Sequence, residues 1–163
     1  MLQLFLHILF HILISLIAGF IVYKLYNRFF LSIISALAGG VIVDFDHFID
    51  YFLAFGFNFK FSYFTHGFQF LKTDKMYTLF HGWEYVIILL ILNLILKNKT
   101  AKTIMAGLTL GLFLHLVTDV NLNKIPMRTY SVIYRVQNNF SLEKFVTTEH
   151  WGRHKILKQY SGF

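Results

Sequence analysis

Histidines and carboxylates recur in this sequence at spacings that place them together on helix faces. His7 and His11 are four residues apart, and so are His115 and Asp119; residues with this spacing lie on one side of a helix. A third block reads Asp44-Phe45-Asp46-His47. Imidazole nitrogens combined with carboxylate oxygens, in a chain without cysteine, suit Zn, Mn or Fe ions. The chemistry that these residues predict is binding of a divalent metal ion.

A fourth block, His81-Gly82-Trp83-Glu84, opens an apolar segment. In a helix its His and Glu would share a face, in the reverse order of the Glu-x-x-His motif of di-iron bundles. Carboxylates packed together repel one another unless a cation lies among them. We therefore predict one or two ions, with Zn or Mn favoured, held by His11, Asp44, Asp46, His47, His81, Glu84, His115 and Asp119. A carboxylate that binds no ion, Asp50 or Glu84, is the candidate general base.

Structural roles remain open for several of these groups. His7 and His11 can be interfacial histidines near a helix start, with His11 the preferred ligand because it lies deeper. His81 and Glu84 can form a polar cap at the membrane interface, next to Trp83 as an aromatic anchor. Three histidines are left out of the predicted site: His66 is ambiguous, and His150 and His154 are expected to be solvated in the polar tail.

Four apolar segments must position these groups. The residues are 56% apolar and 14% charged, against roughly a quarter charged in soluble domains, so lipid is the expected solvent. The segments run over Leu2–Tyr23, Phe29–Val43, His81–Leu96 and Thr103–Val120. This pattern predicts an all-α integral membrane bundle of about four helices over residues 1–120, with an aromatic interfacial connector at 51–80. A basic polar tail, 121–163, is expected to pack at the membrane surface on the side of the site.

Small residues and charges indicate how the segments pack and lie. Gly107 and Gly111 form a small-xxx-small face, and residues 36–40 are rich in Ala and Gly, which favours close helix packing. With four helices, the two short loops hold Lys and Arg but no acid. All eight carboxylates lie on the opposite side: Asp44, Asp46, Asp50, Asp74, Glu84, Asp119, Glu143 and Glu149. We expect a multi-pass protein of the inner membrane, although Lys and Arg counts do not decide its orientation. The oligomeric state stays open.

The net charge of +7 does not indicate a nucleic-acid partner, because no Lys- or Arg-rich run occurs. The basic residues lie in loops and in the tail. Those of the tail, including Arg128, Arg135, Arg153 and Lys155, can hold an anionic head group or, as the preferred role, contact an anionic membrane surface. Membrane lipids and a lipid-like substrate are therefore the expected partners.

The chain resembles the prokaryotic membrane-bound metal-dependent hydrolase family in three features within its first 120 residues. These are the early His11, the Asp44-Phe45-Asp46-His47 block after a small-residue helix, and His115 with Asp119. Where the family has Leu-Pro before the acidic block, this chain has Ile42-Val43. The family's middle histidine block is represented by His81-Gly82-Trp83-Glu84. The resemblance implies a metal-dependent hydrolase.

Two functions follow as hypotheses. The first is a hydrolase that cleaves a phosphoester of a lipid or lipid-linked head group with a metal-activated water. The second is a non-enzymatic membrane protein, either an ion or metal transporter or a structural subunit, because intramembrane acids and histidines also line ion paths. A transporter should carry polar residues through the full membrane depth, whereas the polar groups here are predicted at one face.

Overall fold

The computed structural model describes the backbone of residues 2–163 and the side chains from Phe5 onward. Its helices are α1 (Leu2–Tyr26), α2 (Phe29–Gly40), α3 (Asp46–Phe55), α4 (Phe61–Thr65), α5 (Phe68–Thr73), α6 (Trp83–Ile95), α7 (Lys99–Asn123), α8 (Val132–Gln137), α9 (Leu142–Phe145) and α10 (Thr148–Ser161). Two 3-10 turns occupy Ile42–Phe45 and Met127–Tyr130. The described residues contain no β-strand, only an isolated bridge between Lys75 and Ser141. The predicted all-α bundle is confirmed.

Three helical stretches are long and apolar enough to cross a membrane: Phe5–Tyr26, Phe29–Phe55 and Lys99–Asn123. The fourth apolar helix, α6, has 13 residues and is about 20 Å long, short of the roughly 30 Å of a hydrocarbon core. Apolar side chains such as Leu13, Ile17 and Phe20 of α1 are at least half exposed. Such a surface suits lipid contact.

Glycines bring α2 and α7 close together at the centre of the bundle. Helix α2 packs against α7 and α1, and α6 packs against α7. A Cβ atom added at Gly111 would overlap the carbonyl oxygen of Ala36, and one added at Gly39 would overlap that of Leu108. The predicted small-residue packing face is confirmed. This approach also places the carbonyl of Gly40 beside His115.

The ends of two helices differ from the predicted ones, for local reasons. Helix α7 begins at Lys99 rather than Thr103 because the Asn98 side chain accepts hydrogen bonds from the N–H groups of Thr100 and Ala101, a typical N-cap. The second apolar segment breaks after Gly40 into the 3-10 turn at Ile42–Phe45 and then continues as α3. Asp44 therefore lies in the turn and Asp46 begins a new helix.

The C-terminal region folds as short helices that contact the connector. Helix α10 packs against α5 and α9. The Asp74 carboxylate, just after α5, accepts hydrogen bonds from Lys158 and from Nε2 of His154, the latter at 2.8 Å. His154 is buried, so the expectation that it is solvated is wrong. These contacts attach α10 to the connector, residues 51–80.

Candidate metal centre

Two buried imidazoles from different segments face each other at the centre of the cluster. Nε2 of His81 and Nε2 of His115 are 3.0 Å apart, and the two side chains are almost fully enclosed. Asp44 Oδ1 lies 3.2 Å from the His81 nitrogen and 3.6 Å from the His115 nitrogen. Asp119 Oδ2 lies 3.7 Å and 3.5 Å from the same two atoms. Each of the two carboxylates thus places one oxygen near both imidazole nitrogens.

These separations match the edges of a metal coordination sphere. Ligands at about 2.1 Å from a tetrahedral ion are about 3.4 Å from one another. The nitrogen–nitrogen and nitrogen–oxygen distances of this group range from 3.0 to 3.7 Å. The buried His and Asp side chains can therefore hold a metal ion with little rearrangement.

The hydrogen bonds on the far side of each ring aim these nitrogens inward. Nδ1 of His115 donates to the carbonyl of Gly40 at 2.9 Å, and Nδ1 of His81 donates to Asp46 Oδ2 at 2.9 Å. A neutral ring whose Nδ1 carries the proton presents a lone pair at Nε2. Two lone pairs at 3.0 Å repel each other, and only a proton or a metal ion between them relieves the repulsion. The tautomers thus favour a bound cation.

A proton and a metal ion would compete for this position. Burial lowers the pKa of His81, but its hydrogen bonds with Asp44 and Asp46 outweigh that effect and raise the pKa to about 10. The protein thus stabilises positive charge on this ring. Since a metal ion requires a deprotonated imidazole, its binding must release the proton.

A second group of ligands adjoins the first on α1. Nε2 atoms of His7 and His11 are 2.9 Å apart, and they lie 3.5 Å and 3.1 Å from Asp119 Oδ1. The His11 ring stacks on that of His115, with ring centroids 4.0 Å apart. The predicted ligand His11 thus lies in the cluster, together with His7, which the predicted ligand set omitted. The four-residue spacing of the two histidines was the sequence signal for including both.

Asp46 and His47 contact the cluster in different ways. Asp46 is fully buried, and its Oδ2 accepts hydrogen bonds from Nδ1 of His81 and, at 2.7 Å, from the N–H of Phe80. It orients a candidate ligand, as carboxylates behind metal-binding histidines commonly do. His47 is one-third exposed, and its Nε2 lies 3.8 Å from Asp44 Oδ1. It stands at the solvent-accessible edge of the cluster.

Asp50 and Glu84, the candidate general bases, lie outside these ligand groups. Asp50 accepts hydrogen bonds from the N–H groups of Tyr77 and Thr78 at 2.9 and 3.1 Å. Glu84 accepts hydrogen bonds from the Ser131 hydroxyl and from the N–H groups of residues 132 and 133. Both carboxylates therefore join chain segments together.

The predicted helical face shared by His81 and Glu84 is wrong. Gly82 has an extended backbone, with φ −133° and ψ 128°, and α6 begins only at Trp83. His81 therefore precedes the helix and turns toward the cluster. Glu84 lies in the first helical turn and faces residues 131–133.

Arg135 is a buried component that sequence reasoning assigned to the surface. Its side chain is fully enclosed, and its guanidinium donates hydrogen bonds to the carbonyls of Thr129, Thr78 and His81 at 2.7–2.8 Å. The expected contact of Arg135 with a head group or membrane surface is wrong. The residue instead ties the backbone of His81 to the C-terminal region. Nothing in the polar sequence of the tail indicates that Arg135 is buried.

A cavity of about 700 Å³ opens beside the two ligand groups. Its lining includes His7, His47, His81 and Asp119, together with His150 and Arg153 of α10. The remaining lining is largely apolar and includes Phe70, Leu71, Met76, Ile125, Leu142 and Leu157. The cavity is large enough for a small-molecule ligand, and it combines apolar side chains with basic ones.

Comparisons with family models, with curated proteins and with solved structures found no match to this chain. The function is therefore inferred from the residues of the cluster and its cavity.

Proposed function

We propose that this protein is a membrane-embedded, metal-dependent hydrolase that cleaves a phosphoester of a lipid or lipid-linked head group. The observation that carries the proposal is the opening of the metal-ligand cluster into a cavity lined by apolar and basic side chains. A bound divalent ion supplies a water of lowered pKa and stabilises charge that develops on phosphoryl oxygens. The resemblance to the prokaryotic metal-dependent hydrolases agrees with this reaction, and the three long apolar helices support a multi-pass location, which we place in the inner membrane.

The cavity lining supports an amphiphilic, anionic substrate. Side chains such as Phe70 and Leu157 suit the apolar part of a lipid, and Arg153 is placed to attract a phosphate group. Arg153 also pairs with Glu149 at 2.9 Å. Both members of that ion pair are largely exposed, so the pair is weak and leaves Arg153 free to exchange partners.

Two side chains at the cavity can donate a proton or a hydrogen bond to the substrate. His47 is accessible and adjacent to Asp44, which suits a role in protonating the leaving oxygen. Tyr130 also lines the cavity. Burial, together with the charge of Asp119, raises the pKa of its hydroxyl. Tyr130 therefore stays protonated at neutral pH and can donate a hydrogen bond to a phosphoryl oxygen.

The test is release of inorganic phosphate from phosphomonoester and pyrophosphate lipids by the purified, detergent-solubilised protein with Mn²⁺ or Zn²⁺. We expect activity that a chelator abolishes and that added metal restores. Asp44→Asn and His115→Ala should reduce turnover to the background rate, whereas Glu143→Gln, an exposed position outside the cluster and the cavity lining, should retain it. Wild-type protein that is loaded with metal and cleaves none of these lipids would refute the proposed reaction.

The transport alternative is less well supported. Among the described residues, the buried polar side chains in the other half of the bundle are hydroxyls such as Ser32, Ser35 and Thr103. Two of these donate to carbonyls of their own helices. No carboxylate or imidazole among the described side chains continues the path there, as an ion route would require. Metal uptake by proteoliposomes that is lost on Asp44→Asn would instead favour transport.

A further inference from the structure

We infer that Asp119 bridges two divalent cations, one held with His81, His115 and Asp44 and a second held with His7 and His11. This inference rests on the metal-binding part of the proposed function and extends it to a two-ion centre. The observation behind it is a candidate ligand, Asp119, whose two carboxylate oxygens face different pairs of histidines.

The two oxygens of Asp119 divide the ligands between them. Oδ2 lies 3.5 and 3.7 Å from the Nε2 atoms of His115 and His81. Oδ1 lies 3.1 and 3.5 Å from the Nε2 atoms of His11 and His7. The side chain is only 5% exposed, and histidine nitrogens lie close to both of its oxygens. A carboxylate in this position can give one oxygen to each of two ions.

The histidines on α1 are also close enough to share a cation. Their Nε2 atoms are 2.9 Å apart, and between neutral rings this distance fits a single N–H···N hydrogen bond. One proton shared between the rings satisfies a single contact, whereas an ion bound by both rings and by Asp119 Oδ1 satisfies all three groups. His11 is enclosed, and its ring stacks on that of His115. The two ligand sets are therefore in direct contact, as in two-ion hydrolytic centres.

The two ions should bind with different affinities. The first set has four ligand atoms, and both of its imidazoles are oriented by hydrogen bonds from Nδ1 to Asp46 or Gly40. The second set has three ligand atoms, its His7 side chain is 25% exposed, and Nδ1 of His11 has no hydrogen-bond partner. Loss of such outer partners typically weakens metal binding by about 10–100-fold. Binding should therefore occur in two steps, with the α1 site filling second.

The chemistry of the ligands also defines what the pair of ions would bind. Asp44 and Asp119 are the two carboxylates of the combined set, and the other ligands are neutral imidazoles. Two divalent ions would therefore retain a net positive charge. Such a centre favours a bridging anion, and a phosphate group fits this requirement because two of its oxygens can contact both ions.

The test is equilibrium dialysis of the purified full-length protein against Mn²⁺, followed by elemental analysis and electron paramagnetic resonance. The wild type should bind one Mn²⁺ per chain at low free metal and two at saturation, with the second at least about tenfold weaker. The spectrum at saturation should show exchange coupling, because the ions share a carboxylate. His7→Ala should bind one Mn²⁺ and lose the coupling. His66→Ala is the matched control. His66 lines the same cavity, but its Nδ1 bonds to the Ser62 carbonyl, and this variant should still bind two Mn²⁺ ions.

Each outcome separates the inference from the proposed function. A wild type that saturates at one ion, with the spectrum of isolated Mn²⁺, overturns the bridged pair and leaves the metal site of the proposed hydrolase intact. A wild type that binds no Mn²⁺ overturns both the bridged pair and the metal site of the proposed hydrolase. Two ions on folded His7→Ala would overturn the assignment of the second site. If that variant does not fold, the wild-type spectrum alone decides between coupled and isolated ions.

Discussion

Replacing Asp46 by Asn tests whether the carboxylate behind His81 controls metal affinity. Asp46 Oδ2 accepts hydrogen bonds from Nδ1 of His81 at 2.9 Å and from the N–H of Phe80 at 2.7 Å. An amide oxygen can keep these contacts but carries no charge, so the His81 ring becomes a poorer electron donor. The amide nitrogen would also occupy the position of Oδ1, which is buried without a partner. We expect metal affinity to fall by about 10–100-fold, as for other outer-sphere carboxylates.

That change corresponds to about 1.4–2.7 kcal/mol at 1.36 kcal/mol per factor of ten. The assay is competition for Zn²⁺ with a fluorescent chelator in detergent, with the free energy of unfolding measured in parallel without metal. Asp50→Asn is the matched control, because Asp50 is on the same helix, is equally enclosed and also accepts two hydrogen bonds, both from backbone N–H groups. It should lose comparable stability but keep its Zn²⁺ affinity within about threefold. Unchanged affinity in Asp46→Asn, or equal weakening in both variants, would refute the orienting role.

Three further perturbations test the contacts around the site. Glu84→Gln should lower the free energy of unfolding by about 1–3 kcal/mol, because the Glu84 carboxylate accepts three hydrogen bonds from residues 131–133. Denaturation in detergent measures this change, and the number of bound metal ions should stay the same. Gly111→Ala should lower the free energy of unfolding by about 1–3 kcal/mol, because the added Cβ overpacks against the Ala36 carbonyl. Gly152→Ala on α10, where no atom lies within contact distance of an added Cβ, should not destabilise the protein. Finally, burial acts to raise the pKa of Asp74, but hydrogen bonds from Lys158 and His154 hold it below its usual value. The stabilisation by Asp74 is therefore complete above about pH 4 and is lost as the pH falls through the lowered pKa. Proteolysis of α10 at neutral pH should accelerate in Asp74→Asn, and an unchanged cleavage rate would contradict this anchoring role.

Residues close together in the sequence determined much of the site. The spacing of His115 and Asp119, and of His7 and His11, places each pair on one side of its helix because helical periodicity is a local property. The lengths of the apolar segments similarly predicted α1 and α7, and the glycines of α7 predicted a close helix contact, whose partner in the structure is α2. These features depend on short-range geometry and on average hydropathy, both of which can be read from the sequence.

Contacts between distant segments decided which atoms meet. The extended backbone at Gly82 separates His81 from Glu84, and the turn after Gly40 places Asp44 and Asp46 at different nitrogens of the His81 ring. The burial of Arg135 follows from three carbonyls that only the folded chain brings together. Likewise, the sequence predicted that Asp119 belongs to the site. Only the tertiary structure directs its two oxygens to separate pairs of histidines, because that arrangement requires α1, α7 and the segment before α6 to pack around one carboxylate.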